Sequence, residues 1–155
     1  METTLVIIKP SGIQRSLAGK IISRFEQKGL VIVGMKMMQL NEPILREHYA
    51  HLTDRPFFPL ILQSMMATPV IVLALKGLDA VTVVRGMTGA TNARKATPGT
   101  IRGDFGVSGQ ENIVHASDST ENALIELARF FKPEEIFDYM PLTASAIYDP
   151  DEMKM

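Results

Sequence analysis

The run Asn112-Ile113-Val114-His115-Ala116-Ser117-Asp118-Ser119 sets a histidine at the end of a β-rich stretch, just ahead of a strong helix start. Backbone there is stiff, and the turn beyond it can present a side chain to a ligand. Asp118 or Ser119 can cap the following helix, and Glu121 fits a capping box counted from Asp118. Leu124, Leu127, Ala128 and Phe131 then repeat at i, i+3, i+4, i+7, the spacing of an apolar helix stripe. Position alone leaves two readings of His115, a working histidine or a satisfied one at a strand end, because the charge roles of an imidazole need partners.

Candidate partners lie upstream. Arg85, Arg94, Lys95 and Arg102 recur through the approach to His115, interleaved with the hydroxyls of Thr88, Thr91, Thr97, Thr100 and Ser108. Arginine forks and threonine hydroxyls suit phosphate oxygens. Pro98-Gly99-Thr100 and Arg102-Gly103-Asp104 read as tight turns that expose backbone N–H groups, and Lys9 adds a cation at the end of the first apolar run. The competing reading is a solvated basic loop. No G-x-x-x-x-G-K-[ST] or G-x-G-x-x-G occurs, so P-loop and dinucleotide-fold readings fail, and the protein-kinase signatures are missing. His48 and His51 form an i, i+3 pair without a nearby third ligand, which reads as a solvated helix face.

These residues need a scaffold. The 155 residues suffice for one domain, 1–155, with a real core; the net charge of −1 implies no general pull toward nucleic acid or membrane. Zero cysteines exclude disulfides, thiolate catalysis and cysteine-ligated metals. Phe57 to Leu75 carries no charge, but Pro59, Gln63, Ser64 and Thr68-Pro69 break it as a membrane span. A soluble, cytoplasmic protein is expected.

Strands are expected over 4–8, 31–40, 70–75 and 112–115, with Val31, Val33, Met35 and Met37 sharing one face of the second. Lys9-Pro10 stops the first strand. Leu17, Ile21, Ile22 and Phe25 mark a helix that Gly29 ends. Further helices are expected from Glu42 to Ala50, Phe57 to Ala67 and Ala80 to Met87. The methionines at 35, 37, 38, 65 and 66 are assigned to strand and helix cores. With the two helices between strands two and three set aside, the order is βαββαβ. That is an α+β, ferredoxin-like antiparallel four-stranded sheet with helices on one face, an inserted helix pair and a long loop before the last strand. The loop, 89–111, shows no clear period, and beyond Phe131 the chain reads as a mostly irregular tail.

Asn112 to Ser119 resembles the signature N-x-x-H-[GA]-S-D of nucleoside diphosphate kinases. Other segments match in order: Ile8-Lys9-Pro10, Arg15, Arg24 to Gly29, His48-Tyr49, Arg55-Pro56-Phe57-Phe58, Gly89, Thr91-Asn92 and Pro98 to Phe105. The similarity spans about Thr4 to Tyr148. It implies a ping-pong phosphotransferase in which His115 takes the γ-phosphoryl of a nucleoside triphosphate and passes it to a nucleoside diphosphate. By the same resemblance Lys9 meets the γ-phosphate and ribose, and Arg85, Thr91 and Arg102 hold phosphates. Asn112 contacts the sugar, Phe57 stacks on the base, and Tyr49 stands near the histidine and lysine. Glu126 bonds the other imidazole nitrogen, with Ser117 beside that pair. Mg²⁺ arrives with the nucleotide phosphates, with few or no protein ligands. A homo-oligomer, tetramer or hexamer, is implied, with the proline-rich tail from Pro133 to Met155 as a candidate interface. Ser11 and Ala90 stand where many members have aspartate and glutamate. The alternative is a catalytically silent nucleotide-binding or nucleic-acid-binding module on the same fold.

Overall fold

The computed structural model describes residues 1–154. Four strands, β1 (Glu2–Ile8), β2 (Val31–Met38), β3 (Val70–Gly77) and β4 (Val114–Ala116), form one sheet in the order β2-β3-β1-β4. Every neighbouring pair is antiparallel. The helices are α1 (Pro10–Gln14), α2 (Ala18–Lys28), α3 (Glu42–His48), α4 (Phe58–Met65), α5 (Ala80–Thr88), α6 (Ile101–Phe105) and α7 (Thr120–Phe130). The βαββαβ order holds, with α3 and α4 as the inserted pair.

Helices cover both faces of the sheet, where one face was expected. Val6, Ile8, Leu73 and Leu75 pack on one side against Ile21 and Phe25 of α2 and Val84 of α5. Leu5, Ile7, Val72 and Ala74 pack on the other against Leu45, Met65, Leu127 and Phe130 from α3, α4 and α7. The central strands carry apolar residues at consecutive positions, so both of their faces must be buried. The inserted pair and the last helix cover the second face.

Local backbone chemistry explains the remaining departures. Pro10 starts a helix: its fixed φ and missing N–H suit the first helical position. A register shift between Ile32 and Gly34 turns β2 over. Val31 and Val33 stay buried, while Met35 and Met37 emerge 58% and 60% exposed, and Met66 is also exposed. Of the core assignments for methionine, Met65 is fully correct. The tail crosses the same bulge, with Phe137 N–H donating to Val33 O and Tyr139 Oη to Ile32 O. That tail contains short 3₁₀ turns at Pro133–Glu135, Leu142–Ala146 and Glu152–Lys154.

The last strand begins at Val114, not Asn112. Ile113 has φ 75, a left-handed conformation that costs a β-branched residue about 1–3 kcal/mol. Ser119 caps α7 through the N–H of Asn122; Asp118 instead accepts from the Asn122 side chain, so the expected capping box does not form. The buried stripe of α7 is Ala123, Leu127 and Phe130, while Leu124 is exposed. The stripe is thus rotated from the expected one, which leaves Glu126 free to face the sheet end. The long loop is ordered by a 3₁₀ turn at Ala93–Lys95 and by α6, which absorbs the turn expected at Arg102-Gly103-Asp104. A Cβ on Gly103 would lie 2.0 Å from Thr97 O, so only glycine allows that close approach.

Candidate active site

β4 pairs with β1 so that His115 stands opposite Ile7, and opposed residues share a face. The imidazole therefore points to the side covered by α3 and α7. Its Nε2 lies 2.9 Å from Glu126 Oε2. Ser117, two residues along and fully buried, donates from Oγ to the same oxygen at 2.7 Å. Burial would raise the Glu126 carboxyl, but the bonds from His115 and Ser117 and the nearby imidazole hold it below its ordinary value. An ionised carboxylate only accepts, so Nε2 carries the hydrogen and Nδ1 keeps the lone pair.

The opposite wall is cationic. Lys9 follows β1, its N–H bonded to Ile113 O, and its Nζ donates to Asn112 Oδ1 at 2.7 Å. Burial, then the Arg102 charge, lowers this ammonium to about 8. Asn112 is itself fixed, donating from Nδ2 to Thr91 O and Gly109 O. Arg102, only 4% exposed, donates to Asn112 O, Gly89 O and Val114 O. Burial and the neighbouring Arg85 lower it to about 10, so it stays charged at neutral pH. Three of its five donors hold backbone and two are left for a ligand. Arg85 is exposed and makes one long contact, 3.5 Å to Ala116 O.

Lys9, Tyr49, Arg85, Thr91, Arg102, Asn112, His115 and Glu126 together line one cleft of about 630 Å³. Burial raises the Tyr49 phenol to about 12, so its hydroxyl remains protonated. A second cavity of about 330 Å³ adjoins it, sharing Lys9, Tyr49, Leu52, Thr91 and Asn112. Phe57, 43% exposed at the start of α4, forms its apolar side with Ile61 and Met65. A polar, cationic chamber with a histidine thus opens into a flatter apolar slot. That is the shape of a phosphate chain followed by a planar base.

His48 completes the chamber. It is 8% exposed, and its ring meets that of His115 edge-on, centroids 4.5 Å apart. Arg129 of α7 donates to its Nδ1 at 2.9 Å. Burial, the His115 ring and the Arg129 charge keep it neutral, its value lowered to about 3.

The chain matches the family model described as nucleoside diphosphate kinase over residues 2–136. It is 57% identical to a nucleoside diphosphate kinase of Parabacteroides distasonis over 98% of this chain and 99% of that one. It is 47% identical to nucleoside diphosphate kinase A of Homo sapiens, over 96% and 97% of the two chains. The chain belongs to the nucleoside diphosphate kinase family. Its fold is the family's: a halophilic nucleoside diphosphate kinase from Halobacterium salinarum, solved with CDP, superposes with TM-score 0.92 at 40% identity, covering 96% and 99% of the chains.

The residues expected from resemblance to nucleoside diphosphate kinases converge on one cleft. Ser117 lies behind it, bonded to Glu126, and Phe57 sits in the adjoining slot. Arg94 and Lys95 are not among the cleft-lining residues; Arg94 donates to Val107 O instead. Thr88 and Thr100 spend their hydroxyls on Arg85 O and Thr97 O, and Ser108 accepts from loop N–H groups. His48 corrects the expectation of a solvated histidine pair. Its i, i+3 spacing to His51 looked like an exposed face, but α3 ends at His48 and the chain turns into a 3₁₀ segment at Ala50–Leu52. Arg129 was also missed; nothing in a helix pattern tells that an arginine near its end reaches a histidine on another helix. Nitrogens of His48 and His115 and an oxygen of Glu126 lie within 4.8 Å of one another. Two histidines and a carboxylate can bind zinc, but Arg129 occupies one His48 nitrogen and forces the hydrogen onto the other.

Proposed function

We propose that this chain transfers the γ-phosphoryl of a nucleoside triphosphate, typically ATP, to a nucleoside diphosphate through a phosphohistidine at His115. The single observation that carries this reading is the His115–Glu126 bond, which reserves Nδ1 for attack within a cationic cleft. In the first half-reaction Nδ1 bonds to the γ-phosphorus as its bond to the β,γ-bridging oxygen breaks, and the diphosphate leaves with that electron pair. In the second, a terminal phosphate oxygen of the acceptor attacks phosphorus and the Nδ1–P bond breaks. The Nε2 hydrogen stays toward Glu126, whose charge stabilises the ring as it becomes cationic. Lys9, Arg102, Arg85 and Thr91 neutralise and align the phosphates, Asn112 meets the sugar and Phe57 stacks on the base.

The chamber offers few uncommitted carboxylates, since Glu126 serves His115 and Glu47 lies 3.2 Å from Arg129 Nε. Mg²⁺ therefore fits as a passenger on the phosphates, with Asp118, which lines the cleft, the acid placed to hold a water of its shell. The ion supplies charge neutralisation on the phosphate chain.

The chain is read as one working domain that assembles as a closed homo-oligomer in the cytoplasm, where nucleotides are exchanged. The sheet ends in β2, which has no further strand beyond it among the described residues and carries exposed Met35 and Met37. No helix among the described residues is long and apolar enough to cross a membrane.

Incubation with γ-labelled ATP without acceptor tests the chemistry. Expected is a label stable in base, lost in acid, absent in His115→Ala and chased off by GDP. Folded protein that binds ATP yet takes no label would refute the reading and favour a silent binding module.

A further inference from the structure

One buried titratable group has no part in that scheme. His48 is packed against the ring of the nucleophile and makes one hydrogen bond, which it accepts at Nδ1 from Arg129. Arginine only donates, so the hydrogen of this neutral ring sits on Nε2, which is buried without a partner among the described residues. A buried N–H left unpaired costs stability, so the site keeps this imidazole against a local penalty.

The geometry of His115 supplies a reason. The χ2 torsion of histidine is broad, with no sharp staggered wells. The Cβ–Cγ axis about which it turns crosses the opposite ring bond, between Cε1 and Nε2, so Nε2 swings through a smaller arc than Nδ1 and a hydrogen bond there tolerates small turns of the ring. The Glu126 bond thus fixes which nitrogen bears hydrogen and only loosely fixes where Nδ1 points. Nδ1 lies well off the axis, and its lone pair must stay in line with the bond that breaks at phosphorus. A second group packed on the face or edge of the ring narrows that remaining freedom. The ring of His48 lies against it at 4.5 Å with planes at 80°. His48 is backed in turn by Phe130 at 5.2 Å and held by Arg129.

We infer that His48 is a positioning residue for the reaction: locked by Arg129 and packed on the His115 ring, it sets the direction of the Nδ1 lone pair. The inference rests on His115 being the phosphoryl carrier. Its agent is the ring's shape and neutrality, so an uncharged aromatic should substitute for it.

Rapid-quench measurement of phosphoenzyme formation from γ-labelled ATP tests this on wild type, His48→Ala, His48→Phe and Arg129→Met. His48→Ala is expected to slow labelling at saturating ATP by about 10- to 100-fold, as misorientation of reacting groups does. The ATP concentration for half-saturation should stay within about twofold, since His48 meets the ring and not the phosphates. His48→Phe should restore most of the rate. Arg129→Met, which leaves the ring in place but unlocked, should fall between. NMR of ring-labelled histidine should show exchange broadening of His115 in His48→Ala and a sharp signal in His48→Phe. Should His48→Phe not fold, Arg129→Met and the His115 signal still decide. Unchanged labelling in His48→Ala, equal losses in Ala and Phe, or a loss confined to ATP affinity would each overturn the inference. Failure of wild type to label at His115 would refute the proposed function itself, which separates the two.

Discussion

The two ends of the cleft are built from different materials. The nucleophile end is mounted on regular structure: His115 on β4, Glu126 on α7 and His48 at the end of α3. Main-chain pairing and helix packing set those positions, and the side chains then restrain one another. The phosphate end is mounted on the 89–111 loop, which has little regular structure to hold it. Here the functional residues do the holding. Arg102 ties Gly89, Asn112 and Val114 together through their carbonyls, and Asn112 ties Thr91 to Gly109. A second clasp grips the loop from outside. Arg24 of α2 pairs with Asp104 at 2.6 Å, bonds Gly99 O and lies over the Phe105 ring. At one end, then, the scaffold positions the chemistry; at the other, the chemistry helps build its scaffold.

That contrast is sharpest for Arg102. Arg102→Ala should reduce kcat/KM by about 10²- to 10³-fold, the usual loss for a donor aimed at developing charge. It should also lower stability by about 2–5 kcal/mol, since several charge-assisted bonds to buried carbonyls vanish together. Urea unfolding beside steady-state kinetics checks both. Arg85→Ala should lose rate with little stability, and Arg46→Ala on the surface should lose neither. Equal destabilisation of Arg102→Ala and Arg85→Ala would erase the distinction between the two arginines.

At the scaffolded end, Glu126→Gln should slow phosphoenzyme formation by about 10- to 100-fold, as loss of a carboxylate behind a working histidine does. A carboxamide can still accept from Nε2 but does not stabilise a cationic ring. Nucleotide affinity, measured by calorimetry, should be unaltered. A comparable loss of ADP binding would place Glu126 in the phosphate end instead.

Lys9 joins the two ends, and its titration gives the smallest effect. Burial lowers its ammonium from 10.5 to about 8. Its charge is thus present below pH 8 and lost above it, so kcat/KM should fall as pH rises through about 8. For stability the sign is opposite. The unfolded chain holds this proton up to 10.5, so the cost of burying it is full below about 8 and fades as pH rises between those values. A Lys9→Met profile that still bends near the same pH would assign the titration to another group.

The position of His115 at a strand end and much of the fold were legible because they depend on local chemistry. A histidine between an apolar run and a capped helix start, alternating apolar strands and Gly29 as a helix stop all act within a few residues. Match after match to a known signature then supplied the partners, which spacing by itself did not. What stayed hidden was set over distance or by single backbone conformations. Ile113 in the left-handed region shortened β4, the β2 bulge turned Met35 and Met37 outward, and the stripe of α7 sat one position from its expected place. His48 looked solvated because its burial comes from α7 and the sheet end, remote in sequence.

The sequence by itself determined which side chains are available: a histidine between a strand and a capped helix, and a run of cations and hydroxyls ahead of it. Side-chain chemistry and short-range backbone preference suffice for that, while Glu126 and Phe57 were named only through resemblance to the family. Only the tertiary structure decided how they act. It chose the nitrogen of His115 that stays free and set a second imidazole against that ring. It also made Arg102 a brace across three backbone carbonyls, with donors to spare toward the cleft. Each depends on contacts between segments far apart in the chain, and those exist only once the sheet has formed and both of its faces are covered.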